Sequence, residues 1–238
     1  MASLPNFCET CVVRNRAICS DLETEEISAL NRIARRQKMV AGQSLYWEGD
    51  AASLVGNVIE GVLKLTRSLS DGREQVVGLL FPSDFIGRPL GDTVPHSLVA
   101  LSDAMVCTFP TKDFQNFAAH HPRLCRKLLE RTLDELDRTR EWMVLLARKS
   151  AGERVASFLL EMGDRLTPRA CIAPVNGSDE FELPFGRQQI ADTLGLTIET
   201  VSRRLTELKR REIIDLVGRR GVRILDRPLL EAEAEICA

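Results

Sequence analysis

Residues 186–211 read GRQQIADTLGLTIETVSRRLTELKRR, and the spacing of their apolar positions decides what the last third of the chain folds into. Ile190, Ala191 and Leu194 form the inner face of one short helix, and Gly195 then permits the left-handed backbone of a tight interhelical turn. The next helix carries an inner stripe of Ile198, Val201, Leu205 and Leu208, spaced by three, four and three. Its other face presents Glu199, Ser202, Arg203, Thr206 and Arg210. This is the pattern of a helix-turn-helix whose second helix enters the major groove. Arg203 can donate two hydrogen bonds to guanine O6 and N7, and Glu199 can accept from cytosine N4. A carboxylate is unwelcome against phosphates, so its place on the reading face points to base recognition. Thr197, at the start of the reading helix, and Arg187, at the start of the first, complete the candidate DNA-binding set.

Working outward, IIDLVGRRGVRIL gives two short strands around a Gly-Arg-Arg-Gly turn, the expectation for a wing. Residues 187–223 hold nine basic and five acidic side chains, a local charge of +4 against −2 for the whole chain. The basic surplus therefore lies where phosphate contact would need it. Upstream, Ser150-Ala-Gly-Glu153 reads as a capping box opening the helix ERVASFLLEMGDRL. The stretch TPRACIAPVNGSDEFELP then reads as loops and a strand.

The 238 residues are enough for two domains, and 44% hydrophobic with 28% charged residues is ordinary for a globular protein. No apolar run reaches the length of a membrane span, and the N-terminus lacks the basic and apolar regions of a signal peptide. A cytoplasmic protein is expected. Seven cysteines in a reducing compartment favour metal or redox chemistry over disulfides. Three of them, Cys8, Cys11 and Cys19, crowd the N-terminus, one short of the four donors that a tetrahedral metal or a cluster usually takes. The three histidines, His96, His120 and His121, have neither ligand nor catalytic spacing. No paired carboxylates, activated nucleophile or phosphate loop appear, so an enzyme is not expected.

Residues 21–37 read as a helix that Asp21 could cap. From about 40 to 110, short β-type runs punctuated by glycine predict a compact antiparallel barrel, with SDGR as a hairpin turn. A helical stretch from Lys112 to Arg148 places Leu129, Leu136, Met143 and Leu146 on one narrow stripe, with Thr132 and Thr139 filling its gaps. That suits a coiled-coil seam between two copies, with Glu141 beside it.

In this order, helix, barrel, long helix and winged helix resemble the CRP/FNR superfamily of transcription regulators. EGDAASLVGNVIEGVLKL looks like the first half of that family's β-roll, and IETVSRR looks like the FNR reading helix. The resemblance implies an α+β protein with a cyclic-nucleotide-binding-like β-roll, a dimerisation helix and a winged helix-turn-helix. The corresponding segments are a cluster-binding 1–20, a β-roll 21–111, a dimerisation helix 112–149 and a DNA-binding domain 150–238. It assigns DNA contacts to Glu199, Ser202 and Arg203 and implies an operator close to TTGAT-N4-ATCAA. In FNR-type oxygen sensors three N-terminal cysteines and one from the barrel hold a [4Fe–4S] cluster. LSDAMVCTFP resembles the strand bearing the fourth, which makes Cys107 the implied partner of Cys8, Cys11 and Cys19. Seven residues separate Cys11 from Cys19, more than in the best-known members.

Arg14 and Arg16 could offset the charge of four thiolates, while Cys125, Cys171 and Cys237 read as small buried hydrophobes. Cyclic nucleotide binding is not expected: Arg88 stands where the family's ribose-binding Glu should be, and His96-Ser97 where its phosphate-binding Arg-Ser should be. The turn Ser70-Asp71-Gly72-Arg73 resembles a family loop that touches RNA polymerase. The expectation is an oxygen-responsive homodimer on double-stranded DNA, with the cluster favouring the dimer and Glu141 opposing it. Structural zinc, a thiol switch or nitric oxide as the signal are the alternatives on the same four thiols.

Overall fold

The computed structural model describes residues 8–68, 70, 72, 74–166 and 179–235. The chain divides into two compact units, Met1–Arg138 and Thr139–Ala238.

In the first unit, a turn-rich segment leads into α1 (Thr24–Ile33). Its cap is Glu23, whose backbone N–H donates to Glu26 at 2.8 Å in a reciprocal capping box. The expected cap, Asp21, lies too far upstream and instead accepts a hydrogen bond from the Ser20 hydroxyl at 2.7 Å. Eight strands follow: β1 (Arg35–Met39), β2 (Ser44–Tyr46), β3 (Leu54–Glu60), β4 (Leu63–Ser68), β5 (Glu74–Leu80), β6 (Phe85–Gly87), β7 (Ser97–Ala100) and β8 (Ala104–Pro110). They pair antiparallel into two four-stranded sheets, ordered β1-β8-β3-β6 and β2-β7-β4-β5. Met39, Val58 and Val106 of one sheet pack with Leu63, Leu98 and Ala100 of the other. The hairpin of β4 and β5 pairs Ser68 with Glu74, as the SDGR turn predicts.

A second apolar cluster joins Ile18, Leu22, Ile27, Phe109, Phe114 and Leu124, tying the N-terminal segment to the helices that follow the sheets. Those helices are α2 (Thr111–Ala119) and α3 (Pro122–Arg148). The stretch expected as one helix from 112 to 148 is therefore broken at His120–His121. Pro122 is the cause: it has no N–H to continue α2, it disfavours helical backbone in the residue before it, and it is well suited to start a new helix.

In the second unit, α4 (Ala151–Leu166) opens with the expected capping box, Ser150 N–H donating to Glu153 at 2.6 Å and Glu153 N–H donating to the Ser150 hydroxyl at 3.4 Å. It buries Val155, Phe158, Leu159 and Met162. Then come β9 (Asp179–Glu182), α5 (Arg187–Leu194), α6 (Ile198–Arg210), β10 (Ile214–Val217), β11 (Gly221–Ile224) and α7 (Arg227–Glu235). The strands form one sheet ordered β10-β11-β9. The final helix, α7, packs on α4, burying Leu230 and Ala234, and Arg227 pairs with Asp164 at 2.7 Å. No helix among the described residues is long and apolar enough to cross a membrane.

Two packing points lend themselves to measurement. Phe158 is fully buried, its ring 5.9 Å from that of Phe185. Phe158→Ala should destabilise the C-terminal unit by about 3–5 kcal/mol, read as an earlier urea transition by circular dichroism. Gly56 on β3 faces β8 so closely that a Cβ there would lie 2.1 Å from the Cys107 carbonyl oxygen. Gly56→Ala should cost about 1–3 kcal/mol through displaced backbone, visible as a lowered Tm.

Candidate functional site

The reading helix is set by its turn. Gly195 closes α5 at φ +62°, ψ +39°, the left-handed conformation expected of it. Thr197 then caps α6, its hydroxyl accepting from Thr200 N–H at 3.2 Å. Val201, Leu205 and Leu208 are buried as the stripe predicts. Ile198 is 37% exposed, because as the first residue of α6 it has no preceding helical turn to pack beneath. Glu199 is exposed, and its carboxyl is held below the usual range by its own backbone N–H and the Thr197 hydroxyl. Ser202 is half-buried, with its carbonyl accepting from Thr206 at 2.8 Å.

Of the nine basic side chains in residues 187–223, eight fall into two sets that charge counting could not separate, and the ninth, Arg220, donates to the Pro184 carbonyl at 3.3 Å. Arg204, Lys209, Arg211 and Arg223 are held by Glu207, Asp215, Glu233 and Glu180 at 2.6–2.9 Å. Arg187, Arg203, Arg210 and Arg219 are exposed and have no ion pair among the described residues. The second set is free to meet an anionic ligand. Arg203 belongs to it and lies on the face of α6 away from the buried stripe.

The first unit gathers the four predicted thiols. Cys8, Cys11 and Cys19 lie on the turn-rich segment, whose bends close through Arg14 N–H to Cys11 carbonyl at 3.2 Å and Ala17 N–H to Val13 carbonyl at 2.8 Å. Val13, Ala17 and Ile18 are buried and anchor it. Cys107 lies on β8 between Arg36 of β1 and Asn57 of β3. Cys8, Cys19 and Cys107 pack against the cluster of Ile18 and Leu22, while Cys11, Cys19 and Cys107 pack against Val13, Ala17 and Ile59.

Burial pushes the Cys107 thiol up to about 12 and Cys19 to about 11, and the charges the neighbouring cysteines would carry add to both shifts. Cys8 is raised in the same way, first by burial and then by Cys11, against Arg36 and Arg14, which favour its ionised form. Arg14 thus acts on the thiols as expected of a compensating charge. Arg16 contributes its backbone instead: its carbonyl accepts from the Arg131 guanidinium. As placed, no group of three or more His, Cys, Asp or Glu side chains among the described residues is arranged to hold a metal ion. The thiols share one neighbourhood without closing around a point. Cys125 is exposed on α3, its Sγ 3.3 Å from the Ala118 carbonyl oxygen rather than in the buried position expected of it, and Cys171 and Cys237 lie outside the described residues.

On α3, Leu129, Leu136 and Met143 are 60%, 43% and 65% exposed at intervals of seven. Leu133 and Val144 are exposed as well, Glu141 is exposed and Leu146 is half-buried. Sequence spacing missed Leu133 and Val144. Within the β-roll, a cavity of about 200 Å³ is lined by Tyr46, Phe85, Ile86, Arg88 and His96 among others, with no carboxylate in its lining. Burial, aided by Arg67, lowers the His96 pKa, so its ring is a poor substitute for a guanidinium. At the β4–β5 turn Ser70 and Gly72 are exposed, and Asp71 and Arg73 lie outside the described residues.

Comparison with known proteins agrees with this architecture. Residues 36–121 match the cyclic nucleotide-binding domain family, and residues 153–233 match the Crp-like helix-turn-helix domain family. The transcriptional activator protein FnrL of Cereibacter sphaeroides is 43% identical over 95% of this chain and 91% of its own length. The nitrogen fixation regulation protein FixK of Bradyrhizobium diazoefficiens is 40% identical over 96% of this chain and 94% of its own. The solved structure of FixK2 from Bradyrhizobium japonicum superimposes with a TM-score of 0.77 at 33% identity, covering 87% of this chain and all of that one. With its β-roll, long helix and winged helix-turn-helix in the same order, the chain belongs to the CRP/FNR family of transcription regulators.

Proposed function

We propose that this protein is a cytoplasmic, oxygen-responsive transcription regulator that acts as a homodimer on double-stranded DNA. Cys8, Cys11, Cys19 and Cys107 would hold a [4Fe–4S] cluster when oxygen is low. Arg203, Glu199 and Ser202, with Arg187 and the cap Thr197, would read an inverted repeat close to TTGAT-N4-ATCAA. The observation that carries this reading is the gathering of four thiols from two distant stretches of chain around shared apolar clusters.

Four thiolates suit such a cluster, which when bound supplies an oxygen-labile link between them. To serve as ligands the thiols must release protons, which burial opposes at Cys19 and Cys107 in the absence of a cation. Arg14 and Arg36 are positive charges that favour the ionised form of Cys8. Three donors lie on a turn segment and the fourth on a strand. A link among them therefore orders the segment against the β-roll, and its loss releases that constraint.

The exposed Leu129, Leu136 and Met143, with Leu146 and Glu141, form the seam we assign to dimerisation, since an apolar heptad stripe left in water is a partner surface. The β4–β5 turn at Ser70–Arg73 is the surface we assign to RNA polymerase. Relatives described as transcriptional activators support activation as one mode of action. The β-roll cavity offers a cyclic nucleotide neither a ribose carboxylate nor the family's phosphate arginine.

Anaerobically purified protein should absorb in the visible and carry about four iron and four acid-labile sulfide per chain, and Cys107→Ser should lose both. A colourless wild type with one zinc and no sulfide overturns the cluster. Arg203→Ala should weaken operator binding by about 1–3 kcal/mol and relax discrimination at the contacted G·C pair, measured by titration against single-base variants. An equal loss on every sequence would place Arg203 on a phosphate.

A further inference from the structure

The N-terminal half of α3 carries three cations at four-residue intervals, Arg123, Lys127 and Arg131, which puts them on one face of the helix. Each meets the cysteine segment or the turn after it, in reverse chain order. Arg123 pairs with Glu23 at 2.7 Å, Lys127 lies 4.0 Å from Asp21 while bonding Glu130 of its own helix at 3.2 Å, and Arg131 donates to the carbonyl of Arg16. Between them, Leu124 and Leu128 pack into the cluster that holds Ile18, Leu22, Cys8, Cys19 and Cys107.

The three contacts are not equivalent. The side chains of Arg123 and Glu23 are 63% and 70% exposed, so their pair is screened and weak. Arg131 differs in two respects. The residue is half-buried, and its Nε is buried without a hydrogen-bond partner among the described residues, so part of the guanidinium is packed against the protein. Its acceptor is a backbone carbonyl, which does not titrate and which lies within the loop between Cys11 and Cys19. Among the described residues the bends of this loop close on the carbonyls of Cys11, Val13 and Ala17, the Arg14 carbonyl accepts from the Cys19 thiol at 4.0 Å, and that of Arg16 meets the helix.

We propose that Arg131 is the positioning residue of the cysteine segment: its guanidinium, by holding the Arg16 carbonyl, fixes the Cys11–Cys19 loop on α3. It thereby ties the thiols to the same stretch of helix that exposes Leu129, Leu133 and Leu136. The proposal rests on the sensor reading above for its purpose, and on the contact alone for its existence. Its consequence is directional. Ordering the loop orders this part of α3, and loosening the loop frees it, without any change in the charge of Arg131.

The test uses the full-length protein with Arg131→Met, which keeps the apolar stem and removes the donors, Arg131→Lys as the conservative rescue, and Arg123→Gln as the exposed-pair control. In the reduced, metal-free protein, amide hydrogen exchange over residues 12–20 and alkylation of Cys19 by iodoacetamide should both rise roughly tenfold in Arg131→Met, the factor expected for one charged hydrogen bond. Lys should restore most of the protection, and Arg123→Gln should stay near wild type. Exchange in the strands β3 and β8 reports global unfolding. A rise there equal to that in the loop, or no rise in the loop, overturns the proposal. In anaerobically reconstituted samples Arg131→Met should also lose iron faster in air than wild type. If wild type takes up no iron or sulfide, the sensor reading fails while the exchange data still decide the role of Arg131.

Discussion

Backbone carbonyls left over where helices and turns end need donors, and at two such places this chain supplies arginine. Arg131 reaches out of α3 to the Arg16 carbonyl in the cysteine loop. Arg154, one turn into α4, donates from Nη2 to the Leu146 carbonyl at 2.8 Å, from Nε to Lys149 at 2.9 Å and from Nη1 to Leu194 at 3.1 Å. It thus satisfies the last turn of α3 and the end of α5 together. A hydrogen bond from a charged donor contributes about 1.5–3 kcal/mol, and the guanidinium's planar fork fixes geometry as well. In the C-terminal unit a single guanidinium on α4 thus bonds the end of α3 and the end of α5 through different nitrogens. The carbonyl held at the end of α5 lies one residue before Gly195, the turn that leads into α6.

Much of this was legible where one local rule determines the structure. Gly195 with the buried Val201, Leu205 and Leu208 follows from helical period and turn chemistry alone, and the Ser150–Glu153 box is a four-residue pattern. The hairpin at Ser70 and the strands of the wing are of the same kind. Failures arose where two local rules competed. Asp21 looked like a cap, yet the Glu23–Glu26 pair lies nearer the first apolar turn and takes the role. The run through His120 and His121 kept an apolar period, and Pro122 overrode it. In α7, the signal was present in Asp226 followed by Pro228, with Asp226 capping Leu229 N–H at 2.9 Å, but a nine-residue helix near the end of a chain reads weakly.

The candidate sites divide along the same line. Residue types and spacing pointed to Cys8, Cys11, Cys19 and the reading helix, and the resemblance to the family added Cys107. Which cations are already committed to carboxylates depends on tertiary neighbours: Arg204 and Arg203 are adjacent in sequence, yet only the first has a partner in Glu207. The long-range role of Arg131 was equally hidden, because its acceptor is a backbone atom 115 residues away and carries no side-chain signature.

Packing alone brings four thiols together without making them a ligand set. Each buried thiol is more stable protonated, and three of the four are shifted further in that direction by the charges their neighbours would carry. Closing four thiolates around a point therefore needs a cation to offset their repulsion. Without one, the apolar clusters under Val13, Ala17 and Ile18 keep the segment close, and burial favours the protonated form of Cys8, Cys19 and Cys107. The face of α3 that anchors the cysteine segment through Leu124 and Leu128 and the face that exposes Leu129, Leu133 and Leu136 therefore belong to one helix, so the packing of the segment and the stripe share a single rigid element.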